Sequence, residues 1–228
     1  MKKFIKIAIF VLCIVLAFSA CGNKDENNTT APAADNSGVQ PASEQNASPN
    51  AFSADIQEDP SVSHPLIKFT MTDGKTFSMK LYPEYAPITV ENFVKLVSEG
   101  FYNGLTFHRV MDNFMAQGGD PKGDGTGGTD TIKGEFAING FSENTISHKR
   151  GVVSMARKSR PLDSASCQFF ICYDDCSFLD GQYAAFGYVY EGMETVDDFL
   201  KVERAYDASG EKSVPTTPIV IEKAEVIG

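Results

Sequence analysis

Basic residues are scarce, since twenty Lys and Arg against thirty Asp and Glu leave a net charge of −10. A chain of that sign offers no field for a polyanion, which excludes nucleic acid as a partner. Histidine is scarcer still, with only His64, His108 and His148. So few imidazoles, with no Gly-x-Ser-x-Gly elbow, leave a hydrolytic triad built from His108, Asp120 and Ser154 without its usual frame. No Gly-Lys-Ser/Thr follows the glycines between 118 and 128, so they read as a surface loop and not a phosphate cradle. Beyond Cys13 and Cys21 the cysteines are Cys167, Cys172 and Cys176, an odd set for a disulfide framework. Their C-x4-C-x3-C spacing lacks a paired C-x2-C and a nearby histidine, and no metal or other cofactor is expected. If 167 to 172 form one strand, the odd separation puts those two side chains on opposite faces. A bond between Cys172 and Cys176 in an oxidising compartment stays open.

Long apolar runs are also missing, and the stretch Ile7–Phe18 is too short to span a bilayer comfortably. With Lys2, Lys3 and Lys6 before it and Ser19-Ala20-Cys21 after it, it reads as a targeting segment. Small residues directly before a cysteine resemble a bacterial lipoprotein signal, with Phe18 where that pattern usually has Leu. Residues 1–20 are then a signal peptide and Cys21 the lipidated first residue of the mature chain. An ordinary secretory signal cleaved elsewhere, or an uncleaved anchor held by Phe4 to Phe18, are the alternatives. The resemblance implies an extracytoplasmic protein lipid-anchored to the bacterial cell membrane. From residue 21 to 61 the composition is Asn, Ala, Ser, Pro, Thr, Asp and Glu, with little apolar surface to offset the entropy of ordering. Those residues read as a tether, with a random-coil reach of about 35 Å.

From Pro65 the pattern changes. Ile67, Phe69 and Met71 alternate with polar residues, Asp73-Gly74 makes a turn, and Phe77, Met79 and Leu81 alternate again, which predicts a β-hairpin. Val90, Phe93, Val94 and Val97 follow a helical period that stops at Gly100. Strand-like runs recur at 151–155, 168–172, 184–189 and 219–227, with a short helix near 195–200. Few helices, many strands and no alternation of the two predict a mainly β domain over 62–228, built as a closed antiparallel barrel.

The segment Phe107-His108-Arg109-Val110-Met111-Asp112-Asn113-Phe114-Met115-Ala116-Gln117-Gly118-Gly119-Asp120 resembles the active-site signature of the cyclophilins nearly throughout. Gly125-Thr126-Gly127-Gly128, Ser154-Met155-Ala156, Gln168-Phe169-Phe170-Ile171, Phe178-Leu179-Asp180-Gly181 and Phe186-Gly187 agree in order, and the resemblance covers roughly 64–228. It implies an eight-stranded antiparallel barrel capped by two helices and a peptidyl-prolyl cis/trans isomerase that assists the folding of extracytoplasmic proteins. It further implies catalysis by Arg109, Phe114 and Gln117, with Met115, Ala156, Gln168, Phe170, Phe178, Leu179 and Tyr183 lining the groove. A monomer acting on proline-containing unfolded or peptide substrates is expected.

The chemistry suits that mixture of residues. Amide resonance sets a barrier of about 18–20 kcal/mol to X-Pro rotation, and no bond has to break. An apolar slot holds the pyrrolidine ring, and a fixed cation donates near the twisted amide, where it draws the nitrogen lone pair from the carbonyl. A selective gain of about 7 kcal/mol would speed rotation roughly 10⁵-fold. The chain departs from many eukaryotic members in having Phe178 for Trp and Tyr183 for His, which implies weak cyclosporin binding. The loop 157–167 is also longer than in the best-known eukaryotic form, and it opens on the basic residues Arg157, Lys158 and Arg160. The competing function is a proline-peptide binding module or holdase without turnover, for which apolar pockets alone would suffice.

Overall fold

A computed structural model describes residues 56–228. The proposed signal, Cys21 and the tether up to residue 55 lie outside the described residues. The first alternating runs form β1 (Leu66–Met71) and β2 (Thr76–Leu81), paired antiparallel. Their turn closes with the Gly74 N–H donating to the Met71 carbonyl at 2.9 Å, and Gly74 takes φ +82°, the left-handed region that glycine enters without strain. Helix α1 (Pro87–Ser98) starts at a proline whose missing N–H costs nothing in a first turn, and it buries Val90, Phe93, Leu96 and Val97. Its N-cap, Ala86, has no side-chain acceptor, so the cap comes from far along the chain. The Glu135 carboxylate, fully buried, accepts from Ile88 N at 2.9 Å and from Thr89 N and Oγ1 at 2.8 and 2.7 Å.

The chain continues through β3 (Thr106–Val110), β4 (Met115–Asp120), β5 (Val152–Met155), β6 (Phe169–Cys172) and β7 (Ala185–Glu191). Helix α2 (Met193–Asp198) precedes a 3-10 turn at Phe199–Lys201, then β8 (Arg204–Tyr206), β9 (Lys212–Pro215) and β10 (Ile219–Val226). Eight strands close into a barrel in the order β1-β10-β3-β4-β6-β5-β7-β2, and β8 and β9 form a separate hairpin. The barrel and its two helices agree with the fold expected from the sequence. Strands β3 and β4, inside the signature segment, and the hairpin β8–β9 are additions to the strands predicted from the sequence pattern.

Phenylalanine fills the interior. Phe69 and Phe77 stack at 4.9 Å, Phe93 from α1 meets Phe169 and Phe186 at 5.3 and 5.0 Å, and Phe199 meets Phe107 at 4.8 Å. One apolar cluster thus joins the strands to both helical segments, which leaves no lumen for a ligand. Cys167 belongs to this interior cluster and Cys172 to a second cluster outside the barrel wall, on the two sides that their odd separation implies. Cys167, Cys172 and Cys176 are buried free thiols, so the disulfide left open by the sequence is not formed here.

Residues 56–59, placed in the tether by composition, reach the barrel domain. The Lys80 ammonium and the Tyr82 hydroxyl donate to the Glu58 carboxylate at 2.9 and 3.3 Å, and the Tyr85 hydroxyl donates to the Gln57 carbonyl at 2.9 Å. Ile56 packs beside Tyr82, Tyr85 and Ile146. Among the described residues no helix is long and apolar enough to cross a membrane.

Candidate active site

Strand alternation divides the wall into two faces. Ala116, Phe169, Ile171, Val153 and Met155 point into the barrel core. Their neighbours Met115, Gln117, Phe170 and Ser154 lie on the outer face. Arg109 would break this rule in a regular strand, because Phe107, two residues earlier, is in the core. The register shifts between Phe107 and Arg109, with Phe107 opposite Gly118 and Arg109 opposite Gln117, so His108 is an extra residue. That bulge turns Arg109 outward while Phe107 stays inside.

The result is one row across four strands. Arg109 on β3 pairs with Gln117 on β4, Gln117 with Phe170 on β6, and Phe170 with Ser154 on β5. Beside it Met115, Phe170 and Leu179, at 1%, 5% and 8% exposure, form the floor of an apolar slot. Phe114, Ala156 and Tyr183 pack around its rim. Tyr183 meets Phe170 edge-on at 6.0 Å, and Phe114 meets Phe178 at 5.7 Å. Phe178 is 63% exposed, which places it at the outer edge of this cluster.

A chain of amides runs behind the slot. Arg109 Nη1 donates to Gln117 Oε1 at 3.4 Å, Gln117 Nε2 to Gln168 Oε1 at 2.8 Å, and Gln168 Nε2 to the Gly127 carbonyl at 2.8 Å. The loop that offers this carbonyl is shaped by Asp120, whose carboxylate accepts from Lys122 N and Gly125 N at 2.8 and 2.6 Å. An acidic group tied to the backbone N–H groups occupies the place an anion would need, in keeping with a structural loop. Gly119, before it, has φ +81°, and a Cβ there would stand 2.8 Å from the Cys167 carbonyl, so the approach of β4 to that segment requires glycine.

The structure therefore brings together all ten groove residues proposed from the sequence. It adds one that sequence reasoning missed. Glu211, on the β8–β9 hairpin, accepts from Arg109 Nε at 2.6 Å and Nη2 at 2.8 Å, while the Gln117 contact is longer. Arg109 holds the Glu211 carboxyl below its usual range, more than burial raises it. A glutamate about a hundred residues from its partner, on a hairpin without apolar pattern, carries no local signal in the sequence.

Arg157 is not a free basic charge: its guanidinium lies 4.5 Å over the Tyr183 ring and 5.0 Å over Phe136, and its Nε donates to the Gln182 carbonyl. It walls a polar recess of about 330 Å³ between Gly125–Thr129 and Lys158. His148 is hydrogen-bonded at both ring nitrogens, with Nδ1 at 2.8 Å from Asp180 Oδ1 and Nε2 at 2.9 Å from Ser154 Oγ. His108 has no partner at either ring nitrogen among the described residues, because as the bulge residue it drops out of the pairing. The Asp180–His148–Ser154 order matches a hydrolytic triad, but His148 and Ser154 are fully buried and burial pushes the imidazole pKa down, so the hydroxyl cannot meet a substrate. Among the described residues no three His, Cys, Asp or Glu side chains gather as a metal site.

Three comparisons bear on this arrangement. Residues 66–226 match the family described as cyclophilin type peptidyl-prolyl cis-trans isomerase. The chain is 46% identical over 127 residues to peptidyl-prolyl cis-trans isomerase B of Bacillus subtilis, covering 55% of this chain and 84% of that protein. It is 41% identical over 165 residues to peptidyl-prolyl cis-trans isomerase A of Dickeya dadantii, covering 68% and 82%. Among solved structures, a Cryptosporidium parvum cyclophilin type isomerase aligns with TM-score 0.62 at 27% identity, covering 73% of this chain and 99% of that one. A second structure of that protein, determined in the presence of the dipeptide Ala-Pro, aligns with TM-score 0.61.

Proposed function

The chain belongs to the cyclophilin-type peptidyl-prolyl cis-trans isomerase family, and from that premise we propose that Arg109, Phe114 and Gln117 drive the rotation of X-Pro bonds in this groove. The observation that supports this assignment of roles is the fixed guanidinium at one end of a row that passes, at Phe170, into an apolar slot floored by Met115, Phe170 and Leu179. The pyrrolidine ring sits on Met115, Phe170 and Leu179, with Phe114 and Ala156 beside it, and the peptide lies along Gln117 and Gln168 toward the recess. As the amide twists, its nitrogen becomes pyramidal and gains a localised lone pair, which Arg109 stabilises more than it does the planar ground state. No proton is abstracted and no covalent intermediate forms. A holdase would need only the slot, so a cation held by directed hydrogen bonds favours turnover. A protease-coupled assay on proline peptides tests the reading, and absence of catalysed isomerisation by folded protein would overturn it.

The chain is further proposed to work outside the cytoplasm as a monomer, anchored to the membrane through acyl chains on Cys21, with the polar stretch after it as spacer. The Ser19-Ala20-Cys21 junction supports this, as does the meeting of residues 57–58 with the barrel at β2, four strands from β4 in the closed order. That arrangement puts the join of the spacer away from the groove. Cys21→Ser is expected to abolish incorporation of labelled palmitate and release the protein from membranes, and a Cys21→Ser protein that is still labelled refutes the anchor.

Weak cyclosporin binding is proposed from the exposed edge. Phe178 offers a ring but no N–H donor where an indole would offer both. Phe178→Trp is expected to lower the inhibition constant about tenfold, since about 1.4 kcal/mol is the scale of one added hydrogen bond. An unchanged constant would place the cause elsewhere in the groove.

A further inference from the structure

The barrel closes without the hairpin β8–β9, which pairs only with itself. It is nevertheless fastened to the strand that carries Arg109. Arg204 on β8 donates from Nη1 to the Val110 carbonyl at 3.4 Å and pairs through Nη2 with the Asp112 carboxylate at 2.9 Å. Ser213 on β9 is 1% exposed, so that strand packs inward at its middle. The loop between the strands is tightly defined. Asp207 Oδ1 accepts from Ser209 N and Glu211 N, both at 2.8 Å, and from Ser209 Oγ at 2.7 Å, and Asp207 N donates to the Glu211 carbonyl at 2.9 Å. This loop delivers one group to the groove, the Glu211 carboxylate.

The edge of the guanidinium that it takes is the informative detail. Arginine has five N–H donors in a planar fork. Glu211 engages the side edge, Nε and Nη2, with both oxygens. The end edge, Nη1 and Nη2, is left facing Met111 Sδ at 3.1 Å, Met115 Sδ at 4.0 Å and Gln117 Oε1 at 3.4 Å. Thioether sulfur is a weak acceptor, which a peptide amide readily replaces. An unheld arginine at a surface groove would sample many rotamers, and fixing one of them in advance removes that entropy from the barrier.

We propose that Glu211 is a positioning residue for isomerisation, which holds the side edge of the Arg109 guanidinium so that its end edge meets the twisting amide. The proposal rests on the reading of Arg109 as the electrostatic centre. Glu211 acts through Arg109 and touches no substrate, so its removal acts on turnover more than on binding.

The test is a double-mutant cycle on the full chain with Arg109→Ala, Glu211→Gln and the double variant, using proline-peptide isomerisation with kcat and KM separated. Glu211→Gln is expected to lose about tenfold in kcat with KM changed less than about twofold, and to add nothing further in the Arg109→Ala background. The Arg109 Nε–H resonance, protected in the wild type by its carboxylate, is expected to exchange rapidly in Glu211→Gln. Circular dichroism and melting confirm that each variant folds. A Glu211→Gln protein with wild-type kcat overturns the positioning role alone, provided Arg109→Ala is impaired. Losses that multiply independently in the double variant also overturn it, since they would place the effect of Glu211 in the packing of the hairpin. If Arg109→Ala is itself fully active, the reading of Arg109 has failed and the proposal falls with it.

Discussion

Arg109→Ala is expected to lower kcat/KM for proline peptides by at least about a hundredfold, the range measured when one preorganised donor to a transition state is removed. The cause is local. The guanidinium is the one positive group in the row Arg109–Gln117–Phe170, and the slot beside it supplies contact area but no charge. Stability should change by less than about 1 kcal/mol, since the Arg109–Glu211 pair is roughly a third and a quarter exposed and solvent screens it. Arg109→Lys separates charge from geometry. An ammonium cannot fill the two-edged role of the fork, so this variant should recover only part of the rate. Full activity in Arg109→Ala, with unchanged circular dichroism, would refute the mechanism.

Glu135→Ala should have the largest effect on folding. The carboxylate is fully buried and serves three donors at the start of α1, where the N-cap residue supplies none. Two of those donors are backbone N–H groups of a first helical turn, and the positive end of the helix dipole favours an anion there. Truncation leaves a cavity and unpaired buried donors, at a cost of about 3 kcal/mol. For a domain of this size the melting temperature should fall by about 6–12 °C. Glu135→Gln, which keeps one carbonyl acceptor, should lie between. A fall of less than about 2 °C in Glu135→Ala would mean that water or another group caps the helix.

Much of this protein was fixed by local pattern. The alternation around Asp73-Gly74 determines a hairpin, because a period of two buries one face and the turn residue accepts a positive φ. The apolar spacing of Val90, Phe93 and Val97 determines α1, and the ordered blocks from Phe107 to Gly187 determine the family. Even the residues proposed for the groove could be named along the chain, since they cluster in those blocks, and the structure places them near one another. What needed the tertiary structure is where distant segments meet. Nothing local announces that Glu135 caps α1, that Glu211 grips Arg109, or that residues 56–59 reach the barrel domain. The outward turn of Arg109 was equally hidden, for two residues from a core phenylalanine the strand period points it inward. Only a bulge at His108, set by register with β4, sends it to the groove. Periodicity and turn chemistry act over a few residues and so can be read along the chain. Hydrogen bonds and ion pairs between segments depend on how the barrel and the separate hairpin pack in the folded chain, which brings residues a hundred positions apart within 3 Å.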